Sequence, residues 1–221
     1  MTRIALLDEH SPLLVPEHPD QQALTLQAIL AERRSIRRLR PGPFTDEMRE
    51  RLLTAVRLTP AAYNLPPWRV VLIHRQRAAF WAEVERGFRE TLHGDQLERY
   101  LDRLRGFAPG VAVALVFVDR EVERALREER GAAPDVAASF VQQAMGMVQL
   151  AVWLAVTAEG MATSLQHWDH LVGPRIARFA GLPENDFGLV ATMPIGYADG
   201  PPPTIERAAT EQPGTVDPRR A

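Results

Sequence analysis

The chain has 221 residues, 46% hydrophobic and 24% charged, with a formal net charge of −2, enough for one large domain or two small ones and with no general pull towards nucleic acid or anionic membrane. It contains no cysteine, which removes disulfides, thiol nucleophiles and cysteine-zinc sites, and all 26 of its basic residues are arginine, which removes lysine Schiff-base chemistry. The first residues, Arg3 and then "IALL" before Asp8 and Glu9, are too short for a signal-peptide core, so a cytoplasmic chain is the expectation.

Residues 1–20 carry Pro12, Pro16 and Pro19 without periodicity and read as an extended arm. Residues 21–34 repeat apolar positions at helical spacing and end in cations. After the breaker "PGPF", Thr45 is placed to cap a helix that has Met48, Leu52, Leu53 and Val56 on one face. In "LTPAAYNLPPWRVVLI" (58–73), Pro60, Pro66 and Pro67 stop both helix and sheet and hold Tyr63 and Asn64 in a stiff loop before a strand at 68–74. Helices are expected over about 77–90 and 95–105, then a strand covered on both faces at "GVAVALVFVD" (110–119).

The longest helical stretch is 135–159. Its core from Ala144 to Ala158 is apolar nearly all round but shorter than a bilayer span of about 20 residues, and Gln142, Gln143 and Gln149 argue against lipid. Such a helix belongs in an interior or a subunit interface. A strand-like "ATSLQHW", a helix at 174–180 and a strand at 188–197 follow, and the tail from Asp199 is rich in proline. Strands alternating with helices give a layered α+β or α/β fold. The expected organisation is an arm (1–20), a single α+β domain (21–200) and a tail (201–221).

No GxGxxG follows a strand and no P-loop, HExxH or EF-hand pattern is present. His167, Asp169 and His170 lack a third partner at metal-ligand spacing, so no metal is assigned. The run "RRSIRRLR" (33–40) has three readings: a grip on nucleic-acid backbone, a grip on one cofactor phosphate with Ser35 adding a hydroxyl, or a solvated helix end. Nothing else in the chain looks like a nucleic-acid surface. Asn64 likewise serves either a turn or a ligand.

"ERRSIRRL" at 32–39, then a helix, then "LTPAAYNLPPWRVVLI", resembles the opening of the FMN-dependent nitroreductase family. "GMATSLQHWDHLVGPRIARFAGLPENDFGLVATMPIGYADGPP" resembles that family's C-terminal half, and "GMVQLAVWLAVTAEGMATSLQHW" is similar to its fungal-type branch and bacterial relatives. The likeness runs in order over about residues 25–200.

The resemblance implies a central mixed, mostly antiparallel sheet flanked by helices, in an entwined homodimer with shared active sites. It implies FMN as cofactor and NADPH or NADH as donor, with quinones or nitroaromatics as acceptors in ping-pong turnover. Arg33, Arg34 and Ser35 would hold the FMN phosphate and ribityl chain, with Arg207 as a second phosphate ligand. Arg37, or else Arg103 or Arg105, would meet the N1/O2 edge of the flavin. Ala61, Tyr63 and Asn64 would reach the flavin from the other subunit. Ser164, Leu165, Gln166 and His167 would line its opposite side, and Gln166 and His167 would orient the acceptor. Pro66 replaces the family's usual Gln. Two alternatives stand beside this reading: a specialised flavoprotein on the same scaffold (a ring dehydrogenase or a flavin-consuming enzyme), and a non-catalytic flavin- or anion-binding regulator.

Overall fold

The computed structural model describes residues 19–202 and 204. Helix α1 (Pro19–Glu32) starts inside the expected arm and stops before Arg33 and Arg34, which fall just past its end. The chain leaves the helix there because Ser35 is captured by Thr163 in a parallel bridge, with Ile36 N donating to Thr163 O at 3.1 Å. Strand β1 (Leu39–Arg40) follows, too short to have been read from sequence. Helix α2 (Asp46–Leu58) is capped by Thr45, whose hydroxyl accepts from Met48 N at 3.3 Å. Strand β2 (Trp68–Ile73), α3 (Arg77–Thr91), α4 (Gly94–Phe107) and β3 (Ala112–Asp119) sit where the apolar patterns put them.

Helix α5 (Arg120–Glu128) was not expected. Asp119 caps it, and Val122, Ala125 and Leu126 recur at helical spacing, with Leu126 buried and the other two half-buried. Helix α6 (Pro134–Ala158) is 25 residues, long and apolar enough by length and composition to span a bilayer, contrary to the sequence estimate. It packs instead as a core helix: Ala137, Val141, Ala144, Met145, Val148, Val152 and Val156 are buried, while Val136, Met147 and Leu150 stay exposed on its other side. The expected strand "ATSLQHW" shrinks to β4 (Ala162–Thr163), and α7 (Asp169–Phe179) begins five residues before the expected start, with Pro174 inside it. Strand β5 (Phe187–Ala198) ends the described fold.

The sheet runs β1-β5-β3-β2, with β4 also on β5, and every ladder is antiparallel. The Ser35–Thr163 bridge is its parallel element. One core layer gathers Phe80, Phe88, Phe107, Phe117, Trp168 and Ile176 against α3, α4 and α7. The other gathers Leu52, Val116, Val148, Met193 and Ile195 under α2 and α6. Arg51 on α2 ties to Glu159 at the end of α6 through two bonds of 2.5 and 2.8 Å, and that guanidinium holds the Glu159 carboxyl below its ordinary pKa. The architecture is the α+β, largely antiparallel layered fold expected.

Candidate functional site

The Ser35–Thr163 bridge joins the two stretches named from sequence. It lays the arginine strap (33–37) beside the segment 163–167, which is pinned to β5 by reciprocal backbone bonds of 2.9 Å between Gln166 and Thr192. Two small clefts flank the strap. One of about 180 Å³ is bordered by Arg34, Ile36, Thr157 and Ala162. One of about 230 Å³ is bordered by Ser35, Arg37, Arg38 and Asp199. Both fall below the roughly 300 Å³ at which ligand pockets begin.

The described arginines divide between those with a carboxylate partner and those without, Arg69, Arg99, Arg120 and Arg127 among the latter. Arg38 pairs with Asp102 at 3.4 Å, and Arg51, Arg57, Arg86, Arg89, Arg124, Arg175 and Arg178 all have carboxylate partners. Arg33, Arg34 and Arg37 have none among the described residues. Arg33 lies over the Trp153 ring at 4.5 Å, Arg34 donates to the carbonyls of Ala31 and Arg33, and Arg37 stands in solvent with no side-chain partner. Arg34 borders the first cleft and Arg37 the second, so the strap presents guanidinium groups to both, and such groups are the ones that could hold an anion. Arg103 instead lies over Tyr100 at 5.5 Å, and Arg105 pairs with Glu98 at 3.4 Å.

Strand parity sorts the residues after Thr163. Ser164 and Gln166 turn inward and are buried, the Gln166 amide donating to Ser164 Oγ at 3.0 Å. Leu165 is half-buried and His167 is exposed. Of the pair expected to orient an acceptor, His167 is therefore the one whose side chain reaches solvent. His167, Asp169 and His170 gather no further ligand, and no cluster of three metal-ligating side chains exists among the described residues.

The Tyr63–Asn64 loop is a single 3₁₀ turn (Ala62–Asn64) with Tyr63 at φ 55° and Asn64 at φ 56°. Asparagine tolerates this left-handed region, but tyrosine there is strained, a state that persists only where surroundings enforce it. Asn64 N and Leu65 N bond back to Ala61 O and Ala62 O at 3.0 Å, and the three prolines remove other exits. Tyr63 is 58% exposed, with Phe140 at 6.3 Å and Arg130 at 5.9 Å from its ring. Since α6 rises about 1.5 Å per residue, Phe140 beside Tyr63 and Trp153 beside Arg33 are about 20 Å apart. Within one chain the loop and the strap do not meet.

Sequence reasoning missed Trp153 and Thr163. Both present buried polar atoms, the indole Nε1 and Oγ1, with no hydrogen-bond partner among the described residues. Arg207 lies outside the described residues. A larger cleft, about 740 Å³, opens at the far end of β2 between Phe44, Arg49, His74 and Arg75, and none of the candidate site residues lines it.

The profile of the nitroreductase family matches residues 30–197. The chain belongs to the nitroreductase family. Among nitroreductases of known structure it resembles CinD from Lactococcus lactis in complex with chloramphenicol (23% identity, 82% of this chain and 94% of that one, TM-score 0.73). It also resembles an FMN-bound nitroreductase from Desulfitobacterium hafniense (20%, 83% and 94%, TM-score 0.61) and the FMN-dependent nitroreductase NfnB from Mycobacterium smegmatis in complex with NADPH (18%, 80% and 89%, TM-score 0.63). A curated relative, the 5,6-dimethylbenzimidazole synthase of Rhodobacter capsulatus, is 26% identical over 207 residues, 89% of this chain and 94% of the relative.

Proposed function

We propose that this nitroreductase-family chain is an FMN-dependent oxidoreductase that takes hydride from NADPH or NADH and passes it to a small quinone or nitroaromatic acceptor. The observation that carries the reading is the arginine strap. Arg33, Arg34 and Arg37 have no carboxylate partner among the described residues, and Ser35 is locked to the strand end that bears Leu165 and His167. Arg33, Arg34 and Ser35 would hold the phosphate and ribityl chain, and Arg37 would stabilise negative charge at the pyrimidine edge. FMN, when bound, supplies the ring that accepts and returns hydride. Leu165 would give that ring an apolar wall, and His167 would hold an oxygen of the acceptor. Donor and acceptor would use one face in turn, which gives ping-pong kinetics.

The remaining wall would come from a second copy of the chain, through Ala61, Tyr63 and Asn64. The separation of about 20 Å within one chain, the exposed Tyr63, and the exposed Val136, Met147 and Leu150 on α6 support this arrangement. A preformed loop meets a flat ring without ordering entropy at binding, which suits the strained Tyr63–Asn64 pair.

The test is direct. The purified chain should carry FMN absorbance, and Arg33→Ala should lose it with circular dichroism unchanged, since a charge-assisted contact is worth about 1.5–3 kcal/mol. Steady-state NADPH oxidation should rise when a quinone is added. A colourless, inactive protein that cannot be reconstituted would end the reading.

A second reading, a flavin-consuming synthase, is favoured by the full-length likeness to the 5,6-dimethylbenzimidazole synthase. Incubation with FMN, NADPH and air separates the two. Turnover returns the flavin absorbance once donor is exhausted, whereas consumption bleaches it stoichiometrically and yields a benzimidazole by mass spectrometry.

A further inference from the structure

The Arg33 guanidinium carbon lies 4.5 Å from the centroid of the Trp153 ring. A cation held over a ring face in this way needs no carboxylate, and the guanidinium carries five N–H donors. A carboxylate in place of the ring would hold Arg33 equally well, but it would neutralise the charge and compete with an incoming anion. An indole orients the cation and leaves it charged. Trp153 itself stands on a rigid stretch of α6, between buried Val152 and Val156. Its Nε1 is buried without a hydrogen-bond partner among the described residues, as is Thr163 Oγ1 just across the bridge from Ser35, so neither polar atom competes for the Arg33 donors.

We infer that Trp153 is a positioning residue for the cofactor phosphate: it holds Arg33 over its ring, beside the strap, so that the guanidinium meets the phosphate oxygens. The inference rests on the FMN reading above, and it concerns the phosphate alone, not the flavin ring.

FMN and riboflavin share the ring and differ in the phosphate, so comparing the two isolates it. The full-length protein, dialysed free of flavin, is titrated with each, following quenching of flavin fluorescence, for wild type, Trp153→Met, Trp153→Phe, Arg33→Ala and the Trp153→Met/Arg33→Ala double variant. Trp153→Met should weaken FMN by about 2- to 30-fold, the span of a stacked cation, and leave riboflavin unchanged. Trp153→Phe keeps a ring face and should stay within about 3-fold of wild type, which keeps the test open should the Met variant fold poorly. In the Arg33→Ala background Trp153→Met should add nothing.

Equal losses of FMN and riboflavin would make Trp153 a structural residue only and overturn the inference. Wild-type FMN affinity in Trp153→Met, or additive losses in the double variant, would overturn it as well. If wild type does not distinguish FMN from riboflavin, or Arg33→Ala binds FMN as wild type does, the phosphate site itself is wrong and both readings fall. Strong wild-type preference for FMN with an Arg33 effect but no Trp153 effect removes the inference alone.

Discussion

Gly110→Ala tests the connection between the sheet and the arginine strap. A Cβ at Gly110 would lie 2.6 Å from Ile195 O and 3.0 Å from Phe107 O, both backbone atoms. Neither can retreat freely. Ile195 is paired on both edges, with Ala112 on β3 and with Thr163 on β4, and its oxygen already accepts from Val111 N at 2.7 Å. The contact must open by about half an ångström or more to reach ordinary packing, and overpacking of this kind costs about 1–3 kcal/mol. Reduced freedom of the unfolded chain returns about 0.4–1 kcal/mol, and strain in the Val111 bond takes back a similar amount. The net of about 1–3 kcal/mol lowers Tm by about 2–12 °C for a chain of this size. Differential scanning calorimetry measures the shift. The displaced Ile195 sits opposite Thr163, the residue that holds Ser35, so bound flavin should also be released more readily. A Gly110→Ala protein that melts with wild type and keeps its flavin would refute the packing argument and its link to the strap.

Three other outcomes are expected. Glu159 has its pKa lowered by Arg51, so the pair's stabilisation is present above the ordinary carboxylate range and is lost as pH falls through and below it; melting curves between pH 7 and 3 should flatten in Glu159→Gln relative to wild type. A Cβ at Gly146 meets nothing within 4 Å among the described residues, so Gly146→Leu should leave the monomer fold intact but shift the sedimentation profile towards smaller species, and an unchanged profile would place the second copy elsewhere. His167→Ala should raise KM for the acceptor while leaving the rate of flavin reduction by NADPH nearly unchanged in stopped flow. Collapse of the reductive half-reaction would assign His167 to the nicotinamide.

What the sequence disclosed follows the strength of local signals. Thr45 capping α2 and the unbroken apolar run of β3 needed no tertiary information, and both stand where the residues put them. "REVERALRE" hid α5 because its one apolar face rests on only three residues, Val122, Ala125 and Leu126, within a short run otherwise made of arginine and glutamate. The expected helix at 174–180 starts earlier, at Asp169, with the backbone of Leu171 and Val172 already bonded to Trp168 O. Within the site, the nitroreductase likeness brought together the strap and the segment 164–167, but it could not say which side chains face outward. That depends on Gln166 pairing with Thr192, a contact between distant residues that turns Gln166 in and leaves His167 out. Trp153 was hidden for the opposite reason: in a helix as apolar as α6 a tryptophan reads as core.

The sheet also dictates an order of assembly. Its central strand, β5, is the last element of the described chain, and β1, β3 and β4 all pair with it. Ser35 is held by Thr163, Thr163 by Ile195, so the arginines near the start of the chain find their final place only after residues more than 150 positions later have been made. Until β5 has been made, the strap therefore lacks the pairing that fixes it in the finished sheet. Selectivity arrives with β5, and loading of any phosphate-bearing cofactor belongs to the finished chain, not the growing one.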